Sequence, residues 1–280
     1  MEVIKKLSEM QTRVSSIKEK NETIGFVPTM GALHEGHISL MRNARAGNDK
    51  LIVSIFVNPT QFDSRDDFKS YPRWLDKDIE VAESEKVDIV FAPNAEELYE
   101  EESCTYVLQT KLTEPLCGKL RPGHFKGVTT IMTKLFNIIK PDRTYLGQKD
   151  YQQNIVIKRL VRDLNMTIDI KILPTVRDKD GLAFSSRNKH LNPQERSNAL
   201  CIYNALLKAK TMYSSRVKDA NKIIEEMTSI IKSEKCTEID YVSIVNHNTL
   251  EDVSRINGKA VAAVAVRIGD TRLIDNIILE

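Results

Sequence analysis

Long apolar runs are missing from this 280-residue chain, and no stretch approaches the roughly 18 apolar residues that a membrane-spanning helix needs. The first residues, among them Glu2, Lys5, Lys6 and Glu9, hold no apolar segment of the kind a secretory signal carries. An excess of charge of either sign is lacking too, since 41 Lys and Arg face 39 Asp and Glu. Without a basic field, nucleic acid is not an expected partner. The four cysteines, Cys104, Cys117, Cys201 and Cys236, stand far apart with no paired spacing. That argues against a zinc site or a disulfide framework and for reduced thiols. Neither a Walker-type Gly-rich Lys-Ser/Thr loop nor a Gly-x-Gly-x-x-Gly is present, so ordinary P-loop NTPase and dehydrogenase readings lack support. Internal repeats and low-complexity segments are absent. These absences leave a soluble, cytoplasmic chain, without a membrane partner, long enough for one large domain or two unequal ones.

What the chain does hold is concentrated first in Met30-Gly31-Ala32-Leu33-His34-Glu35-Gly36-His37. A β-branched and aromatic run, Thr23 to Val27, precedes it, and Pro28 with Gly31 punctuates the run's end. Ile38, Leu40, Met41 and Ala44 then recur at helical spacing. The order is strand, glycine-bearing turn, helix. A helix that starts at a strand's carboxyl end aims its unpaired N–H groups at the crevice where open α/β sheets bind ligands, a suitable place for a phosphate. His34 and His37, three apart, fall on one face of that helix start, where two imidazoles can donate to a phosphoryl group. The zinc-protease pattern needs its histidines four apart, which these are not. The plainer alternative is that they are ordinary helix-start residues.

Along the rest of the chain, residues 1–22 carry an apolar stripe from Val3 to Ile17 that predicts a packing helix, and Leu51 to Val57 reads as a parallel strand buried on both faces. The polar loop after Asn58-Pro59 offers Asn58 and Gln61 as substrate contacts, with turn chemistry as the alternative. A helix over 72–86, a strand over 87–91 and a fourth strand over Cys104 to Leu108 continue a βαβα alternation. The Arg121-Pro122-Gly123-His124 turn, where Arg121 and His124 could meet an anion or be a solvated corner, leads into a helix that Pro141 ends. Thr144 to Leu146 is a brief strand that opens on Gly147-Gln148-Lys149-Asp150 and a helix from Tyr151 to Val161. Lys149 at that helix start suits a bound phosphate, Gln153 one turn on shares its face, and an exposed Lys-Asp pair is the alternative. Beyond a strand over 168–174, Phe184-Ser185-Ser186-Arg187-Asn188 gathers hydroxyls and a guanidinium fit to embrace a polyphosphate. From about residue 191 two long amphipathic helices and alternating strands over 239–245 and 260–268 predict a separate α+β unit.

Four segments, Pro28 to His37, Phe56 to Phe62, Gly147 to Gln153 and Ser185 to Asn188, together resemble the pantothenate synthetase family, within the nucleotidylyl-transferase superfamily that His-x-Gly-His marks. The resemblance runs over nearly the whole chain. It implies an α/β fold, a Rossmann-like parallel-sheet domain over 1–186 with a smaller C-terminal α+β lid domain over 187–280, and a homodimer. It implies joining of (R)-pantoate to β-alanine with ATP, through a pantoyl-adenylate, giving AMP and pyrophosphate. Carried over by position, Met30 to His37, Gly147 to Asp150, Val176 and Phe184 to Arg187 bind ATP. His37, the proton donor, His34, Lys149, Ser186 and Arg187 carry the chemistry. Gln61, Gln153, Asn58 and Met30 meet pantoate or β-alanine. Phe184 departs from the family's usual Met or Leu. Mg²⁺ is expected with ATP; its ligands are not assigned, with Asp76 and Asp78 as candidates. A related nucleotidyltransferase and a non-catalytic nucleotide sensor are the alternatives.

Overall fold

The computed structural model describes residues 1–234 and 237–280; Cys236 lies outside them. It divides into two compact units. The first comprises residues 1–113, 121–147 and 153–174, and the second 114–120, 148–152 and 175–280. The boundary expected at 186/187 falls inside the second unit.

In the first unit a six-stranded, all-parallel sheet has the order β1-β4-β3-β2-β5-β6, with β1 Glu2–Ile4, β2 Ile24–Thr29, β3 Lys50–Ile55, β4 Ile89–Phe91, β5 Arg143–Gly147 and β6 Asp169–Leu173. Side chains alternate across β2. Val27 joins Leu40, Met41 and Ala44 of α2 (Glu35–Gly47) and Ala82 of α4 (Leu75–Ser84) in one buried cluster. Phe26 turns to the other face and meets Phe136 edge-on at 6.5 Å. That face is covered by α1 (Leu7–Glu19) and α7 (His124–Ile139), which pack together. α7 ends at Lys140 in the left-handed region, just before Pro141. Short helices α3 (Arg65–Ser70) and α5 (Ala95–Leu98) sit in the loops after β3 and β4.

The α/β sheet expectation holds, with two local corrections. Residues 1–22 are not one helix, because Glu2–Ile4 pairs with β4 as an edge strand. Nor is 104–108 a strand: its backbone is held by side chains, with Val107 N–H on Thr130 Oγ1 and Thr129 Oγ1 donating to Val107 O. A β-branched and aromatic run of that length fits an extended segment with or without a ladder.

The second unit has an antiparallel sheet, β7 Thr237–Asn246, β8 Ala260–Ile268 and β9 Thr271–Leu279. Helices α9 (Pro193–Ser214) and α10 (Ala220–Lys232) cover it with a core that includes Ile202, Leu206, Ile223, Met227 and Val264. The unit also takes in the small helix α6 (Cys117–Leu120) and the start of α8 (Tyr151–Asp163). Asn192 caps α9 in a capping box with Glu195, as its Asn-Pro signature predicts. The third strand, β9, escapes the sequence pattern because Asp275 and Asn276 occupy buried positions in mid-strand.

Candidate active site

Strand order in the parallel sheet reverses between β2 and β5, and the carboxyl ends of those strands, Thr29 and Gly147, flank the crevice where such sheets take ligands. The turn leaving β2 is tightly made. Gly31 has φ +81 and Ala32 φ +52. The Thr29 hydroxyl receives the Gly31 N–H at 3.1 Å, and the Asp78 carboxylate receives those of Ala32 at 2.9 Å and Leu33 at 2.8 Å. Asp78 is 3% exposed, and a Cβ on Gly31 would lie 2.8 Å from its Oδ2. A positive φ and a carboxylate in van der Waals reach leave glycine as the residue that fits.

His34 is the N-cap of α2. Its Nδ1 receives the Gly36 N–H at 3.1 Å, and His37 Nδ1 receives the His34 N–H at 3.4 Å. The rings stack at 4.1 Å between centroids. Because both Nδ1 atoms accept, each neutral ring carries its proton on Nε2. The pair is therefore on one helix turn, as the spacing predicts. The Gly36 N–H is taken by the cap.

After β3, Asn58 caps the 3-10 turn Pro59–Gln61. Asn58 is 1% exposed, and its Nδ2 donates to Gln61 Oε1 at 3.0 Å while its Oδ1 accepts from Thr60 and Tyr99 hydroxyls at 2.9 and 3.0 Å. Gln61 Nε2 reaches Met30 Sδ at 3.0 Å. Met30, Asn58 and Gln61 are thus brought together, with Asn58 holding Gln61 by its amide. Gln153 is half-buried on the first turn of α8.

In the second unit Gln148, Lys149 and Asp150 form a 3-10 turn whose carbonyls are held by Asn276: Nδ2 donates to Gln148 O at 3.0 Å and to Lys149 O at 2.9 Å. Asp275, beside it, is 4% exposed and forms a two-pronged pair with Arg177 at 2.5 and 3.0 Å. Phe184 N–H meets Val176 O at 3.1 Å, which sets up the loop 184–187. There Ser185 caps the 3-10 turn Ser186–His190 by accepting the Arg187 N–H, and Ser186 is buried. Lys149, Ser185, Asn188 and Tyr203 line one small pocket in this unit. The signal that the sequence holds for Asp275 and Asn276 is a polar pair inside an apolar run.

Of the metal candidates, Asp76 is exposed and Asp78 is engaged with the turn amides. Among the described residues no group of three or more His, Cys, Asp or Glu could hold an ion. No helix is long and apolar enough to cross a membrane among them. Cys104, Cys117 and Cys201 form no disulfide.

The pantoate-beta-alanine ligase family model matches residues 2–278. Curated relatives include the pantothenate synthetases of Thermotoga petrophila, 51% identical over 279 residues, and Acetivibrio thermocellus, 50% identical over 280, each covering all of both chains. Among solved structures, pantothenate synthetase from Thermus thermophilus is 38% identical with a TM-score of 0.93, covering 99% of each chain. The pantoate-beta-alanine ligase from Francisella tularensis, complexed with beta-gamma ATP and beta-alanine, is 36% identical with a TM-score of 0.83, covering 99% of this chain and 97% of its own.

Proposed function

The chain belongs to the pantoate-beta-alanine ligase family, and from that premise we propose that it joins (R)-pantoate to β-alanine at the expense of ATP, releasing AMP and pyrophosphate. The whole-length match to enzymes of that activity, one of them solved with beta-gamma ATP and beta-alanine, carries the reading.

A carboxylate does not yield to an amine, because oxide is too poor a leaving group. The first step therefore makes a mixed anhydride. A pantoate carboxylate oxygen attacks the α-phosphorus of ATP, the bond from that phosphorus to the bridging oxygen breaks, and pyrophosphate departs. Charge grows on the α-phosphoryl oxygens and the leaving group, where preorganised donors lower the barrier most. The Nε2–H groups of His34 and His37 are such donors, with His37, the position of the proton donor that the resemblance implies, hydrogen-bonding the leaving side. Lys149, Ser185, Ser186 and Arg187 face the phosphates in this reading, with Met30 to Gly36, Gly147, Gln148, Asp150, Val176 and Phe184 completing the ATP site. In the second step the β-alanine amine attacks the pantoyl carbonyl, loses a proton, and AMP leaves with the carboxylate oxygen.

Gln61 and Gln153 read pantoate, with Met30 beside Gln61 and Asn58 acting through it. Mg²⁺ would accompany ATP and share the neutralisation of its phosphate charge, with no protein ligands assigned. We assign the protein to the cytoplasm and to a homodimer. Residues 187–280 are assigned as a lid that keeps water from the adenylate; limited proteolysis should show added protection with ATP and pantoate together, and no change would refute the lid.

The activity itself is tested by incubating the protein with ATP, Mg²⁺ and (R)-pantoate, then adding β-alanine. Pyrophosphate should appear with pantoate alone, and AMP and pantothenate once β-alanine arrives. ATP binding with no dependence on pantoate would move the assignment to a related nucleotidyltransferase or a nucleotide sensor.

A further inference from the structure

Gln61 is gripped by its backbone as well as by its side chain. Its carbonyl oxygen accepts from His124 Nδ1 at 2.8 Å and from Arg121 Nη2 at 3.1 Å. The two donors are joined, with Arg121 Nη1 at 3.3 Å from His124 Nε2 and Arg121 Nε paired to Asp63. A carbonyl can only accept and a guanidinium can only donate, so one assignment satisfies the set. His124 is the neutral Nδ1–H tautomer, receiving Arg121 on Nε2. His124 is 9% exposed and starts α7, whose next turn is pressed against the same segment: a Cβ on Gly127 would lie 2.3 Å from Thr60 O. Gly127 O in turn receives Asn58 Nδ2 at 3.2 Å. The start of α7 thus fixes the Pro59–Gln61 turn from the main-chain side while Asn58 fixes the Gln61 amide.

We infer that Arg121 and His124 are positioning residues for pantoate, acting through Gln61, and not an anion site of their own. This rests on the reading of Gln61 as a pantoate contact. A misplacement of about 1 Å at a substrate-orienting group can cost as much as 100-fold, so the effect belongs in the pantoate terms of the kinetics.

The test compares steady-state kinetics of the full-length enzyme with His124→Ala, His124→Asn, Arg121→Lys and Gln61→Ala. His124→Ala and Arg121→Lys should raise KM for pantoate by about tenfold or more and leave KM for ATP within about twofold. His124→Asn, whose amide N–H replaces the imidazole Nδ1–H, should recover most of the loss. If Gln61→Ala raises KM for pantoate while His124→Ala and Arg121→Lys do not, the positioning role is overturned and the Gln61 reading stands. If Gln61→Ala leaves KM for pantoate unchanged, that reading falls and the inference with it. An equal rise in both KM values marks general loosening and also overturns it. A ¹⁵N spectrum of the wild-type protein checks the geometry without a variant: the Nδ1–H tautomer of His124 supports the inference, and Nε2–H contradicts it.

Discussion

In the neutral ring of His34, Nδ1 receives the Gly36 N–H, so the ring proton stands on Nε2, and the same holds for His37 through the His34 N–H. One nitrogen of each ring builds the helix start and the other is a donor. Replacing His37 by Ala should slow pantoate-dependent pyrophosphate release by about 100-fold or more, while the lost cap costs about 1 kcal/mol or less in a thermal melt. Wild-type rates in a folded variant would sink the role. The spacing of the pair was legible in the sequence, since three residues on a helix start lie on one face. Asp78 was not legible in its role, because it meets Ala32 from 46 positions away. Its carboxylate accepts two buried N–H groups, and Asp78→Asn, which keeps one acceptor and adds a misplaced NH₂, should cost about 2–3 kcal/mol in urea unfolding. A shift of less than about 0.5 kcal/mol would show that the turn holds itself.

At the scale of elements, α1 begins at Leu7, and its N-cap residue Lys6 supplies no side-chain cap. Glu97 of α5 stands in, taking the Leu7 N–H at 3.0 Å and Lys6 Nζ at 2.6 Å. The Leu7 N–H first, and then Lys6, hold the Glu97 carboxyl below its ordinary value. A folded value below the unfolded one means that the charge stabilises above the unfolded pKa of about 4.3 and that this is lost as pH falls through the folded value. Glu97→Gln should therefore melt lower than wild type at about pH 7, with the gap closing below about pH 4; a gap independent of pH would contradict this. Long periodic elements, such as α7 with its Pro141 stop, could be read from sequence. The short edge strand β1 could not, as three residues show no period, and the 104–108 run was misread because hydroxyls of α7 hold its backbone in place of a neighbouring strand.

For the whole molecule, sequence periodicity pointed to a boundary near the first long C-terminal helix, yet the second unit reaches back to residue 175 and draws in 114–120 and 148–152. Contacts between residues far apart in sequence carry no local pattern. One of them joins Arg177 to Asp275, whose side chain is 3% exposed. Arg177→Met should leave that carboxylate buried without its partner and cost the second unit about 3–5 kcal/mol in urea unfolding. A loss below about 1 kcal/mol would show that Asp275 does not depend on it. The pair stands beside Asn276, which holds the carbonyls of Gln148 and Lys149, so part of the proposed ATP site is fixed by the last strand, β9.

The mixed anhydride is the step on which the chemistry turns, and the fate of a carboxylate oxygen tests it. With pantoate labelled by ¹⁸O in its carboxylate, ATP and β-alanine, one labelled oxygen should pass to the phosphate of AMP and none to pyrophosphate, because the carbon–oxygen bond breaks in the second step. Unlabelled AMP alongside pantothenate formation, or label in pyrophosphate, would contradict attack of pantoate on the α-phosphorus.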